Sequence, residues 1–228
     1  MGKKDVTVEP QYRCCIESRD RYGQQQLGLM SSDTWLTDPK RLVFVLSRYK
    51  FVAKMLTGMK NVLEVGCSDG FATRIVCQEV GRVTAIDIDP MFIEDAKKCF
   101  KPEFSPQFIV HDMLSSPVPG KYDGIFSLDV IEHIPKSKED QFLSNILLSL
   151  SPNGTLIIGT PSLESQAYAS AGSKEGHINC KRQADLKSFL TKYFHNVFIF
   201  SMNDEVVHTG FSPMANYLMA LCCNPCNG

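Results

Sequence analysis

A glycine-containing loop lies between an apolar segment and a helix-like segment early in the chain, where residues 64–70 read EVGCSDG. Glycine allows the backbone to turn sharply and to approach a ligand without an intervening Cβ atom. Counted from Gly66, the pyrophosphate-binding pattern G-x-G-x-x-G requires two further glycines, where this chain has Ser68 and Phe71. The loop therefore indicates a ligand site but argues against a nicotinamide dinucleotide.

Two aspartates, Asp87 and Asp112, follow the next two apolar segments. At a ligand site, the Asp87 carboxylate could accept hydrogen bonds from both hydroxyls of a ribose. Asp89 directly precedes Pro90 and is the better candidate for the cap of the following helix. We therefore expect Asp87 to bind a nucleoside, whereas Asp112 on its own reads as a loop residue.

Two histidines, His133 and His177, fall in predicted loops later in the chain. Histidine titrates near neutral pH, so either imidazole could accept the proton of a reacting hydroxyl group. The alternative for His133 is a structural hydrogen bond at the start of the following helix. Both residues are predicted as candidate catalytic bases.

Apolar residues recur alternately at the spacing of strands and of helices, which predicts the elements that must position these side chains. A helix begins at Asp38-Pro39 and stops at Gly58. The predicted strands are 61–65, 82–87, 107–110, 122–128, 155–159 (after an Asn153-Gly154 turn), 197–200 and 217–221, and the other helices are 71–80, 90–100, 137–150 and 184–194. Such alternation predicts an α/β fold with a mostly parallel sheet and ligands at the carboxyl ends of the strands.

The ordered motifs resemble those of the class I S-adenosylmethionine (SAM)-dependent methyltransferases. The resemblance rests on the glycine loop, the acidic ends of strands two and three, and SLDVIEHIP at 127–135, and it spans roughly residues 40–200. It includes the ubiquinone-biosynthesis O-methyltransferases. It implies a Rossmann-like, seven-stranded, mostly parallel sheet with helices on both faces and a C-terminal antiparallel strand pair, with residues 38–228 as the methyltransferase domain and 1–37 as an N-terminal arm or lid.

The same resemblance implies S-adenosyl-L-methionine as the cofactor and Asp112 as the partner of the adenine amino group, with Met113 beside the ring. The residues expected to bind the cofactor lie in the glycine loop and at strand ends: Glu64, Gly66, Cys67, Ser68, Gly70, Asp87, Ile88, Asp112, Met113 and Leu128.

A metal-dependent variant of this chemistry is a further alternative. Asp129, Glu132, His133 and His177 are similar in type and order to the residues that bind a divalent metal in small-RNA 2'-O-methyltransferases. Asp129 replaces a glutamate of that set, however, and D-V-I-E-H also occurs in metal-free relatives. We therefore expect no metal and an activity that is indifferent to EDTA.

The acceptor is inferred from resemblance alone. The segment from Asp38 to Lys50 is similar to methyltransferases of surface-polysaccharide and sugar modification, so the first candidate is a hydroxyl of a small polar acceptor such as a sugar or polysaccharide precursor. Alternatives are O-methylation of a quinone or phenol, N-methylation, and a non-catalytic SAM-binding partner subunit. The oligomeric state is left open, with a homodimer as one option.

Composition argues against several classes of protein. The chain has 228 residues, 43% of them hydrophobic, and 24 Lys and Arg balance 25 Asp and Glu. It lacks the basic surplus typical of nucleic-acid binding and any apolar run of about 18 residues that could cross a membrane. The polar N-terminus predicts a cytoplasmic protein. The C-x-x-C at 223–226 could be half of a zinc site with Cys14-Cys15, but such sites usually have two separated C-x-x-C pairs. The nine cysteines therefore read as reduced thiols.

Overall fold

The computed structural model describes residues 7–101, 103 and 106–226. The described elements alternate along the chain as an α/β fold requires. In chain order they are α1 (Arg13–Tyr22), α2 (Leu29–Thr37), α3 (Pro39–Met55), β1 (Asn61–Val65), α4 (Thr73–Cys77), β2 (Arg82–Asp87), α5 (Pro90–Cys99), β3 (Gln107–Val110), β4 (Tyr122–Leu128), α6 (Glu139–Ser149), β5 (Leu150–Pro161), α7 (Ala171–Gly176), α8 (Gln183–Leu190), β6 (Phe194–Asn203), β7 (Val206–His208) and β8 (Tyr217–Pro225).

All eight described strands form one sheet in the order β3-β2-β1-β4-β5-β8-β6-β7. The first five strands are parallel, whereas β8 pairs antiparallel with both β5 and β6. The predicted Rossmann-like sheet and its antiparallel C-terminal strands are therefore confirmed. The predicted count of seven strands is wrong by one, because the short edge strand Val206–His208 pairs back onto β6.

The parallel strands are apolar on both sides because helices cover both faces of the sheet. Each face has its own buried cluster: one packs around Phe142 and Ile146 of α6, and the other around Val52 and Leu56 at the end of α3. Strand β1 contributes to both, through Leu63 on the first face and Val62 on the second. This packing holds the carboxyl ends of β1, β2, β3 and β4 at one edge.

Three sequence predictions differ from the structure near element ends. The helix predicted over 71–80 is shorter, Thr73–Cys77, with turns on both sides. The Asn153-Gly154 turn is wrong, because β5 runs through these residues from Leu150, with an irregularity in the pairing between Tyr122 and Gly124. The Asp38 side chain makes no capping hydrogen bond, although α3 begins at Pro39 as predicted.

The described part of the predicted N-terminal arm is more regular than its sequence indicates, and its first six residues lie outside the described residues. Helix α2 packs against α3 and is attached to the glycine loop by Asp69, which is 4% exposed. The Asp69 carboxylate accepts hydrogen bonds from the Ser31 amide (2.7 Å) and from the Ser31 hydroxyl (3.1 Å). Gly28 approaches so closely that a Cβ there would lie 2.4 Å from that of Asp69.

Two further findings concern the helices and the cysteines. Among the described helices, none combines the length and the apolar character that crossing a bilayer demands. All nine cysteines, which fall within the described ranges, are unpaired thiols.

Replacement of Asp69 by alanine is expected to loosen the arm. Hydrogen bonds to a charged group contribute about 1.5–3 kcal/mol each, so the free energy of unfolding should fall by about 2 kcal/mol or more. Hydrogen exchange should accelerate at the amides of α2. The control is Asp20→Ala, since the exposed Asp20 pairs with its neighbour Arg19 and forms no hydrogen bond or ion pair with α2 among the described residues. Equal exchange in both variants would contradict this role for Asp69.

Candidate active site

A cavity of about 350 Å³ opens at the carboxyl ends of β1, β2, β3 and β4. Its volume lies within the range of small-molecule sites. Six of the ten predicted cofactor residues line it, together with the predicted base His133: Gly66, Ser68, Asp87, Ile88, Asp112 and Met113. The other four predicted cofactor residues, Glu64, Cys67, Gly70 and Leu128, do not line this cavity.

The glycine loop forms the wall of the cavity that follows β1. Gly66 has a φ of +83°, and a Cβ there would lie 2.2 Å from Cγ2 of Val130. Only glycine fits this position without displacing the loop after β4. Ser68 also adopts a left-handed backbone, with a φ of +49°. Its buried hydroxyl has no hydrogen-bond partner among the described residues and therefore remains available to a ligand.

Asp87 holds the loop and also faces the cavity. Its Oδ2 accepts a hydrogen bond from the Ser68 amide (2.8 Å), and its Oδ1 accepts one from the Asp89 amide (3.0 Å). Asp89 itself caps α5 by accepting from the Met91 amide, as predicted. Each Asp87 oxygen retains an unused lone pair, since a carboxylate can accept about four hydrogen bonds. The carboxylate can thus position the loop and bind hydroxyls simultaneously.

Asp112 and Met113 form the wall beyond β3. The Asp112 carboxylate accepts from the Leu114 amide at 2.8 Å, which fixes the turn after the strand. Met113 is buried at 4% exposure and lies in the core beneath the cavity. The two residues thus present a polar group beside an apolar surface, a combination that suits a heteroaromatic ring.

Glu64 lies beneath the glycine loop instead of in the cavity. The Tyr49 hydroxyl donates to its Oε1 at 2.7 Å, and the Thr73 hydroxyl donates to its Oε2 at 2.6 Å. These contacts join β1 to α3 and α4. Burial raises the pKa of Glu64 to about 7, although both hydrogen bonds favour the charged form. The described geometry therefore gives Glu64 a positioning role.

Glu132, His133 and His177 come together at the far end of the cavity. The imidazole rings of His133 and His177 lie 5.2 Å apart between centroids. One ligand-type atom from each of the three residues lies within 4.8 Å of the others. Burial, followed by the neighbouring Asp129, raises the pKa of Glu132 to about 8. Burial, followed by the proximity of His133, lowers the pKa of His177.

A buried polar network holds the two histidine loops together. The backbone N–H of Asn179 donates to the carbonyl of Glu132 at 2.9 Å, and the side-chain Nδ2 of Asn179 donates to the carbonyl of Ile134 at 2.9 Å. The Lys181 ammonium and the Asn179 side chain both donate to the buried Glu139 carboxylate. The sequence analysis missed this network, because its members are far apart in the chain and carry no local motif.

A second group missed from the sequence connects α3 to the loop after β4. The Arg48 guanidinium donates to both oxygens of Asp129, at 3.1 and 2.9 Å, and lies 3.7 Å from the centre of the Tyr217 ring. Asp129 has a left-handed φ of +55°, a strained conformation that the ion pair stabilises. The sequence marks Arg48 only as a basic residue on an amphipathic helix, which does not reveal its partner.

Comparison with known proteins agrees with this geometry. Residues 62–154 match a family model described as a methyltransferase domain. Residues 62–154 therefore form a methyltransferase domain. This result confirms the predicted family and its cofactor, S-adenosyl-L-methionine. The fold of the chain also resembles the crystal structure of the N-methyltransferase NodS from Bradyrhizobium japonicum with S-adenosyl-L-homocysteine, at a TM-score of 0.64 and 21% identity, over 83% of this chain and 90% of that one.

Two curated relatives are similar to part of the chain. The mitochondrial ubiquinone biosynthesis O-methyltransferase of Schizosaccharomyces pombe is 30% identical over 44% of this chain and 38% of its own length. The 2-methyl-6-phytyl-1,4-hydroquinone methyltransferase of Synechocystis is 29% identical over 50% of this chain and 39% of its own. The matched region thus spans about two-fifths of each of these relatives.

The raised pKa of Glu64 predicts that the free energies of unfolding of the wild type and of Glu64→Gln depend differently on pH. The folded wild type keeps a proton on Glu64 between pH 4.5 and about 7, where the unfolded chain releases it. The unfolding free energy of the wild type should therefore fall relative to the variant as pH rises from 5 to 8, by up to about 3 kcal/mol. Urea unfolding of both proteins at each pH measures this difference, and a constant difference would contradict it.

Proposed function

We propose that this protein is a SAM-dependent methyltransferase that transfers a methyl group to the hydroxyl of a phenol or hydroquinone. The observation that carries the proposal is the shared cavity: the strand-end groups suited to a nucleoside and the imidazole of His133 line the same space. A cofactor and an acceptor placed there would meet without a conformational change of the sheet.

The residues present fit S-adenosylmethionine. Asp87 would accept the ribose hydroxyls, Asp112 would accept from the adenine amino group, and Met113 would contact the ring. The partnerless Ser68 hydroxyl and the glycine loop would face the amino-acid end of the cofactor. These assignments rest on the geometry of the wall and on the family resemblance. Glu64, Cys67, Gly70 and Leu128 would support the wall from behind.

When bound, the cofactor supplies an activated methyl group on a sulfonium sulfur. The chain's own residues then have two tasks, to align the acceptor oxygen and to handle its proton. His133 lines the cavity, and the ring of His177 packs against the ring of His133. We therefore expect a histidine at this end of the cavity to accept the proton of the acceptor hydroxyl, in agreement with the candidate bases predicted from the sequence.

The choice of acceptor follows the curated relatives. One relative is named as an O-methyltransferase of ubiquinone biosynthesis, and the other is named as a methyltransferase of a phytyl hydroquinone. They favour the quinone or phenol alternative over the sugar or polysaccharide precursor that the sequence analysis placed first. A phenol also loses its proton more readily than a sugar hydroxyl, since the phenolic pKa is near 10. A histidine of ordinary basicity is therefore better matched to a phenol.

The N-terminal arm is proposed as a cover for the acceptor side of the site. Met30 of α2 lines the cavity although its side chain is 47% exposed, so it lies at the opening. Cytoplasmic location and the absence of nucleic-acid partners stay predictions of the sequence, which leaves the oligomeric state open with a homodimer as one option. The rival function, a non-catalytic SAM-binding subunit, would show stoichiometric SAM binding without transfer to any acceptor.

Replacement of Asp87 by alanine is expected to weaken binding of S-adenosylhomocysteine at least about tenfold, because charge-assisted hydrogen bonds contribute about 1.5–3 kcal/mol each. Calorimetry measures the affinity, and thermal unfolding checks that the variant is folded. Asp89→Ala is the matched control, since Asp89 caps α5 and does not line the cavity. Unchanged affinity in folded Asp87→Ala protein, or tight binding of NAD, would contradict the cofactor assignment.

With labelled SAM, methyl groups are expected to enter catechols and hydroquinones rather than nucleotide sugars or polysaccharide. His133→Ala should reduce this turnover about 10²–10⁴-fold and leave the affinity for S-adenosylhomocysteine unchanged. His195→Ala is the matched control, because His195 lies exposed on β6. Transfer to sugars alone would refute the phenol assignment, and full turnover by His133→Ala would refute the role of that histidine.

A further inference from the structure

We propose that a second pocket, lined in part by Phe71 at the end of the glycine loop, binds a small aromatic carboxylate. This Phe71 pocket has a volume of about 210 Å³. It has no lining residue in common with the cavity at the strand ends, so it is a separate site. The proposal does not depend on the proposed methyl transfer.

Apolar side chains from separate elements form the walls of the Phe71 pocket. Leu46 belongs to α3, Ile75 belongs to α4, and Phe100 directly follows α5. All three pack against the buried cluster at the end of α3, yet each remains only half-buried. A ring placed between them would remove more of their apolar surface from water, which favours binding.

The ring of Phe100 is fixed by its neighbours beneath the glycine loop. It packs edge-on against the ring of Phe108, with 5.2 Å between the ring centroids. A Cβ on Gly70 would lie 2.6 Å from the Phe108 ring and 3.3 Å from the Phe100 ring, so glycine is what allows this packing. Phe71 adds a second aromatic side chain to the lining. Two aromatic side chains favour a planar aromatic ligand, because aromatic pairs gain energy beyond the area that they bury.

Two cations, Arg74 and Lys101, give the Phe71 pocket its charge. They are the only ionisable side chains among its lining residues, so no acidic group of the lining opposes an anion. The Lys101 ammonium forms no ion pair in the described part of the chain. It lies 3.5 Å from the position that a Cβ on Gly23 would take, between the arm and the end of α5. The planar guanidinium of Arg74 has the geometry that matches a carboxylate.

The N-terminal arm closes one side of the Phe71 pocket through Gln25. Its Nε2 donates to the carbonyl of Cys99 at 2.8 Å, which attaches the arm to the end of α5. The enclosed volume is smaller than the roughly 300–1,000 Å³ of most ligand sites. Four of the seven lining residues are apolar. A ligand of one or two rings with a single carboxylate therefore fits better than a nucleotide or another polyanion.

The experiment is calorimetry of the full chain with 2-naphthoate, in the presence and absence of saturating S-adenosylhomocysteine. We expect one equivalent to bind with the same affinity in both conditions, because the two sites are separate. The neutral 2-naphthamide should bind at least about tenfold more weakly, since it cannot form charge-assisted hydrogen bonds with the two cations.

A matched pair of lysine variants tests the charge of the Phe71 pocket. Lys101→Met should weaken binding of 2-naphthoate at least about tenfold and leave the affinity for 2-naphthamide unchanged. Lys97→Met makes the same change of charge on the exposed side of α5, outside the pocket, and should bind both compounds as the wild type does.

A third variant tests the position of the bound ring. Ile75→Trp places an indole in the space between the apolar walls, so both compounds should lose measurable binding. Thermal unfolding checks that this variant is folded, and the two lysine variants decide the question independently of it.

Four outcomes would overturn the assignment: no saturable binding of 2-naphthoate, binding abolished by S-adenosylhomocysteine, equal affinity for the acid and the amide, or equal affinity of the folded Lys101→Met and Lys97→Met proteins for 2-naphthoate. None of these outcomes bears on methyl transfer, which the labelled-SAM assay measures separately. Failure of that assay with retained binding of 2-naphthoate would refute the proposed function alone.

Discussion

The parallel pairing of β1 with both β2 and β4 is the constraint on which the site depends. Because β1 lies between these strands, the loops after Val65, Asp87 and Leu128 emerge side by side. The loop after β1 then has no room for a side chain at Gly66, since the loop after β4 places Val130 against it. The close approach of the loops follows directly from the register of the strands.

Buried polar groups give this edge of the sheet its rigidity. Glu64 joins β1 to two helices, Asp69 attaches α2 to the glycine loop, and the network around Glu139 joins the two histidine loops. Each group would be costly to bury alone and is stabilised by its partners. Buried polar atoms that have no partner are therefore informative. The Ser68 hydroxyl and Oε1 of Glu132 have no partner among the described residues, and Ser68 lines the cavity where a cofactor would bind.

Much of the fold was predictable because each element buries its own apolar pattern. The strands at 61–65, 82–87, 107–110 and 122–128 match the structure residue for residue, since they are short, apolar and bounded by polar or helix-starting residues. Errors arose where pairing overrides local preference. Asn153-Gly154 reads as a turn in isolation, but β5 runs through it, and the register between β4 and β5 shifts there between Tyr122 and Gly124. Likewise, part of an N-terminal arm with little periodicity forms the helix α2, which packs against α3.

The sequence by itself determined the order of strands and helices, the glycine loop and the acidic strand ends, because these depend on local spacing and on the rule that parallel strands end at one edge. Only the tertiary structure decided that Glu64 lies beneath the cavity and that Arg48 forms an ion pair with Asp129. It also decided that Glu132 lies close to His133 and His177. These contacts join residues distant in the chain, and their geometry is set by packing across the sheet, which no local pattern encodes.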